Sequence, residues 1–164
     1  MEQVGSHLRK EAIRLIPSGE ADLFGRTAFN RFYYATYLEV RAGLSKMRPE
    51  WAGEMPHATI PEVLRGTIKR ELAKGRAKAL KADDHNLASQ CASAASAAED
   101  LARLMDEGRQ VRVTADYYPE VLVNFVVAPD FELNSVAVNT ASTWPFRAKS
   151  FVRIILGVWR QINA

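Results

Sequence analysis

Apolar residues recur along this chain mainly in steps of three and four, the period of a helix that buries one face. Val4, Leu8, Ala12, Leu15 and Ile16 lie on such a stripe, so the spacing predicts a first helix over Glu2–Ile16, broken by Pro17, Ser18 and Gly19. Phe29, Phe32, Tyr33, Tyr37, Val40 and Leu44 predict a second, strongly aromatic helix from about Ala21 to Lys46, which Pro49 stops from continuing. Asn30, Tyr34 and Arg41 fall on another, more polar face of it.

Pro49, Gly53 and Pro56 mark the stretch from Met47 to Thr59 as a loop. Beyond it Ile60, Leu64, Ile68 and Leu72 step by four, with Thr59 as the expected cap and Pro61 in the first turn. Asp83 and Asp84 suit the positive end of a fourth helix, whose inner stripe is Leu87, Cys91, Ala94, Ala98, Leu101 and Met105. Gly108 is its expected end.

From Arg109 to about Asn134 the periodicity fails. VLVNFVVAPDFEL reads either as a short extended segment or as apolar chain folded over the helices. Ser135 to Ala164 is helical again, and Pro145 either kinks that helix or opens a new one capped by Ser142 or Thr143. The predicted fold is therefore all-α, an up-and-down bundle of four to five helices with an irregular segment before the last, formed as one domain over residues 1–164.

Composition leaves this picture intact, since 48% hydrophobic and 25% charged residues is an ordinary globular balance. No apolar run reaches a membrane span, and the amphipathic N-terminus lacks a secretory apolar core, so a cytoplasmic protein without a membrane partner is expected. The single cysteine, Cys91, cannot form an internal disulfide and reads as a small buried hydrophobe. His7, His57 and His85 stand too far apart in sequence to spell a metal site, and no phosphate-loop, dinucleotide or hydrolase-elbow motif occurs. No metal and no cofactor is expected.

Charge adds one feature. The net +3 conceals a basic first half, in which residues 1–80 hold 14 basic and 9 acidic side chains. RGTIKRELAKGRAKALK, Arg65 to Lys81, holds seven basic residues against Glu71 alone. Arg70, Lys74, Lys78 and Lys81 share a helix face there, either as solvated surface or as a stripe that tracks phosphates.

FNRFYYATYLEVR, Phe29 to Arg41, resembles the signature helix of HEPN domains, with Asn30, Arg31, Tyr33, Tyr34 and Ala35 in the matching places. PHATIPEVL resembles the family's His-containing start of the next helix and puts His57 at that position. RQVRVTADYY, Arg109 to Tyr118, resembles the arginine and Ala-Asp-Tyr of a branch of small HEPN proteins often encoded beside a minimal nucleotidyltransferase. The three motifs fall in the family's order between Ala21 and the C-terminus.

The resemblance implies an RNA- or nucleotide-associated protein of a toxin–antitoxin or defence system, commonly a homodimer, with a nucleotidyltransferase-type partner. It also implies a metal-independent ribonuclease motif, an arginine followed four to six residues later by histidine. This chain departs from it: Asp116 follows Arg109 after six intervening residues and Arg112 after three, and no Arg and His pair has the spacing. An ionised carboxylate accepts a proton but has none to donate, so a degenerate ribonuclease is the expectation. The candidate catalytic residues are Arg109, Arg112 and Asp116, and the candidate ligand residues are Asn30, Arg31, Tyr34, His57 and Tyr117. Asp116 is expected to accept Arg31 and leave another arginine free for phosphate. VLVNFVV with Phe146, Phe151 and Trp159 is more apolar chain than a small bundle hides, which supports a dimer. The competing expectation is a noncatalytic helical domain that docks a protein partner or its own copy.

Overall fold

The computed structural model of the chain describes residues 1–16, 18–53, 55–125 and 130–163. Pro17, expected to break the first helix, and Val126 and Val127 of the late apolar segment lie outside the described residues. The fold class is all-α, as the periodicity predicts. The helices are α1 (Glu2–Arg14), α2 (Glu20–Met47), α3 (Thr59–Val63), α4 (Lys69–Lys81), α5 (His85–Tyr117) and α6 (Val138–Ile162). A π-helical turn over Leu64–Ile68 joins α3 to α4, and a two-stranded antiparallel pair, β1 (Glu132–Leu133) and β2 (Val136–Ala137), precedes α6. No helix among the described residues is long and apolar enough to cross a membrane.

Backbone contacts divide the chain into two compact units, one of Met1–Tyr37 with Glu107–Phe146 and one of Leu38–Asp106 with Arg147–Ala164. In the first, Phe29, Phe32, Tyr33, Phe131 and Trp144 are fully buried. Phe131 meets Phe29 edge-on at 5.9 Å between ring centroids, which fixes the hairpin against α2. Asn134 and Ser135 between the strands have φ of 51° and 62°, the left-handed pair that a two-residue hairpin turn requires.

Gly108 does not end α5. The helix runs nine residues further, to Tyr117. A Cβ on Gly108 would lie 2.9 Å from Tyr33 Cδ2, so this glycine lets the aromatic face of α2 approach and is no terminator. The end is made from a distance. Arg26 of α2, only 8% exposed, donates to the carbonyls of Thr114, Ala115, Tyr118, Pro119 and Val121, at the helix end and in the turn after it. Asp22 holds Arg26 Nε through one carboxylate oxygen at 2.7 Å and takes Val123 N–H with the other at 2.7 Å.

In the second unit Ile60, Leu64, Ile68 and Leu72 are all fully buried, so the four-residue steps survive the π-helical turn. Thr59 is not the cap: Ala58 occupies that position, and no side chain bonds the helix start. Asp84 does cap α5, accepting Leu87 N–H at 2.9 Å. Trp159, expected to be surplus apolar surface, is buried with its indole N–H on Met47 O at 3.1 Å. Phe151 is half-buried, whereas Phe146, in the first unit, is 71% exposed. α6 passes through Pro145 as one helix, and the Ser142 and Thr143 hydroxyls donate to Asn139 O and Thr140 O one turn back instead of capping a new helix.

Candidate functional site

The site residues that come together belong to the first unit. Asn30 and Tyr34 stand one turn apart on α2; Arg112, Asp116 and Tyr117 come from the last two turns of α5, the segment expected to be irregular. Because that segment is helical, Arg112 and Asp116 fall at i and i+4 and meet on one face. Arg112 Nε lies 2.8 Å from Asp116 Oδ2, a charge contact in which the N–H is not aimed at the oxygen. Asp116 Oδ1 accepts Asn30 Nδ2–H at 2.5 Å. The guanidinium of Arg112 lies 5.4 Å from the centre of the Tyr117 ring, and the hydroxyls of Tyr34 and Tyr117 favour its charged form.

Burial acts to lower the pKa of Arg112, but the neighbouring Asp116 charge and the hydrogen bonds of the two tyrosines outweigh it, and the net shift is upward. Tyr33, packed edge-on against Tyr34 at 5.9 Å, has its hydroxyl pKa raised by burial against the opposing pull of Arg109 and Arg112. It stays protonated at any physiological pH. One acceptor in the cluster has no partner among the described residues: Asn30 Oδ1 is buried and unbonded.

Arg109, three residues before Arg112, is exposed and lines an open pocket of about 300 Å³ with Gln110, Val113, Thr114 and Asn134. Gln110, Thr114 and Asn134 were not legible as neighbours of Arg109, since only the helical course of 109–117 and the hairpin turn bring them together. Arg31 stands apart. Its Nη1 lies 3.9 Å from Met1 Sδ, and the expected Arg31–Asp116 pair is replaced by Asn30 and Arg112 on that carboxylate. The reason is angular: Asn30 and Tyr34 share the helix face turned to α5, and Arg31 is a hundred degrees round from Asn30.

His57 is half-buried in the turn before α3, in the second unit. The described residues contain no group of three or more His, Cys, Asp or Glu side chains able to hold a metal ion. On α4, Arg70, Lys74, Lys78 and Lys81 are all exposed, and Lys74 pairs with Glu71 at 2.8 Å. The basic run is not uniform, because Arg65 binds Glu99 and Asp106 and Lys69 binds Glu99, which commits both to α5.

No family model matches the chain, and neither a curated protein nor a solved structure matches it.

The arrangement can hold an anion. Arg112 stands against Asp116, Arg109 is exposed at a pocket, and the Asp116 carboxylate accepts Asn30 Nδ2–H with one oxygen and meets Arg112 with the other. Asn30, Tyr34, Arg109, Arg112, Asp116 and Tyr117 include no histidine that could protonate a leaving oxygen.

Proposed function

We propose that this chain is a HEPN-like RNA- or nucleotide-associated protein of a toxin–antitoxin or defence system, acting in the cytoplasm through phosphate recognition by Arg109 and Arg112. The observation that carries this reading is one arginine, Arg112, set against Asp116 and the Tyr117 ring, with one exposed arginine, Arg109, lining a pocket. An oriented guanidinium presents its fork to a phosphate without first losing side-chain freedom. Cleavage, if any, is slow and metal-independent. The exposed stripe Arg70, Lys74, Lys78 and Lys81 supplies sequence-independent attraction for RNA. A nucleotidyltransferase-type protein and a second copy of the chain are the proposed protein partners.

The test is calorimetric titration of nucleotide, and a cleavage assay on single-stranded RNA, with wild type and Arg112→Ala. Binding lost in a variant that melts normally supports the site; a variant that unfolds readily yet binds normally while folded sinks it.

The exposed apolar side chains of the first unit, Tyr117, Tyr118, Leu122 and Phe146, favour the second reading, a noncatalytic domain that docks protein. Sedimentation equilibrium at micromolar concentration addresses the homodimer common to both readings, and a monomer there removes it.

A further inference from the structure

The second half of the chain is acidic overall, yet its end is not: residues 135–164 contain no aspartate or glutamate and four cations, Arg147, Lys149, Arg153 and Arg160. In the second unit two of these, Lys149 and Arg153, line a groove of about 210 Å³ between α2 and α6, with Lys46 of α2 as the third cation. The floor is Ala42, Gly43, Val152 and Leu156, and Glu39 is the one acid on the lining. Lys46, Lys149 and Arg153 are exposed, and none has an ion pair or hydrogen bond among the described residues.

Some cations elsewhere are neutralised internally, whereas Arg70, Lys78 and Lys81 of α4 are exposed with no carboxylate among the described residues. Arg9, Arg14, Arg65, Lys69, Lys74 and Arg103 each sit on a carboxylate. Three unneutralised cations converging on one groove repel each other and raise the local potential, which is a cost to the fold and an attraction for an anion.

Gly43 packs against Val152, so α2 and α6 meet closely beneath the groove. The lining is complementary to a chain of phosphates and sugars, with its charge on Lys46, Lys149 and Arg153 and its apolar sugar faces on Val152 and Leu156.

We propose that the α2–α6 groove binds the phosphate backbone of single-stranded RNA through Lys46, Lys149 and Arg153. This surface is separate in sequence from the α4 stripe and from Arg109 and Arg112, and it rests on the reading of the chain as RNA-associated.

Fluorescence anisotropy of a labelled oligouridine of about 16 nucleotides, the upper end of common single-strand sites, measures it. The Lys46→Ala, Lys149→Ala, Arg153→Ala triple variant, with unchanged circular dichroism, should bind at least about tenfold more weakly at low salt. Its log–log salt slope should be shallower by about 2, three phosphates at roughly 0.7 each. The conservative Lys46→Arg, Lys149→Arg, Arg153→Lys variant should bind within about twofold of wild type, as charge recognition along a backbone requires.

Wild-type affinity and slope in the alanine triple variant would overturn the groove. So would a wild type that binds no oligouridine at low salt, or displacement by polyglutamate as effective as by unlabelled RNA, which would mark an acidic protein surface as the partner. Equally effective displacement by mononucleotide would reduce it to an isolated phosphate site and also overturn it. Failure of the Arg112 reading is a separate result. Loss in Arg112→Ala with the triple variant normal keeps that site and removes the groove, and the reverse pattern keeps the groove alone.

Discussion

Arg112 and Asp116 stand one turn apart on α5, in contact at 2.8 Å, and the other oxygen of Asp116 is held by Asn30 from α2. The carboxylate thereby orients the arginine and ties two helices of the first unit together. With side chains 24% and 27% exposed, the pair is screened by water, which keeps its energy small. Asp116→Ala should cost about 1 kcal/mol in urea denaturation by stranding Asn30 Nδ2 and the guanidinium, and it should weaken ligand binding too. Arg112→Ala should weaken binding with less loss of stability. Equal stability losses in the two variants would contradict this division.

Arg26 is the position whose loss should hurt most. Its guanidinium donates to five carbonyls and Asp22 while nearly buried, so Arg26→Ala strips the carbonyls of Ala115, Pro119 and Val121 of this donor and leaves a carboxylate without its cation. A loss of about 3 kcal/mol or more is expected in denaturant melts. Arg26→Lys should rescue little, because one ammonium cannot span acceptors that a planar fork reaches together. Hydrogen exchange should show the residues after Tyr117 opening first.

The network on α5 of the second unit predicts an acid response. Lys69, then Arg65, hold the Glu99 carboxyl down to about 2 from an ordinary value of 4.5. A depressed carboxylate stabilises the fold at pH above the unfolded value, and that contribution disappears as pH falls from about 4.5 through about 2. Glu99→Gln should flatten the stability profile in that window relative to wild type. Parallel profiles for the two proteins would show that these ion pairs contribute nothing measurable.

Gly108→Ala sets two effects against each other. Alanine favours a helix interior by about 1 kcal/mol over glycine, but the added methyl meets the buried ring of Tyr33 at 2.9 Å. Overpacking of a filled core costs about 1–3 kcal/mol, so the variant should be less stable despite its better helix propensity. A raised melting temperature would show that the ring gives way freely.

The sequence by itself determined where helices lie and which faces they bury. Four-residue steps such as Ile60, Leu64, Ile68 and Leu72 are local, and so is the reach of Asp84 to the first turn of α5; neither needs knowledge of the rest of the chain. The same pattern placed Asn30 and Tyr34 on one face, while Arg112, Asp116 and Tyr117 were singled out by the family resemblance, with Arg31 as the expected partner of Asp116. What it left open are relations across many residues. Gly108 looks like a helix end until Tyr33 is set against it, and Asp116 has two plausible partners on α2 until the rotation of that helix chooses Asn30 over Arg31. Arg26 carries no motif at all, because its role is defined by carbonyls some ninety residues away, and backbone carbonyls leave no mark in a sequence. Lys46 meets Lys149 and Arg153 only because Gly43 lets α6 come close to α2 in the second unit. Periodicity encodes which way a side chain faces; only packing decides what stands opposite.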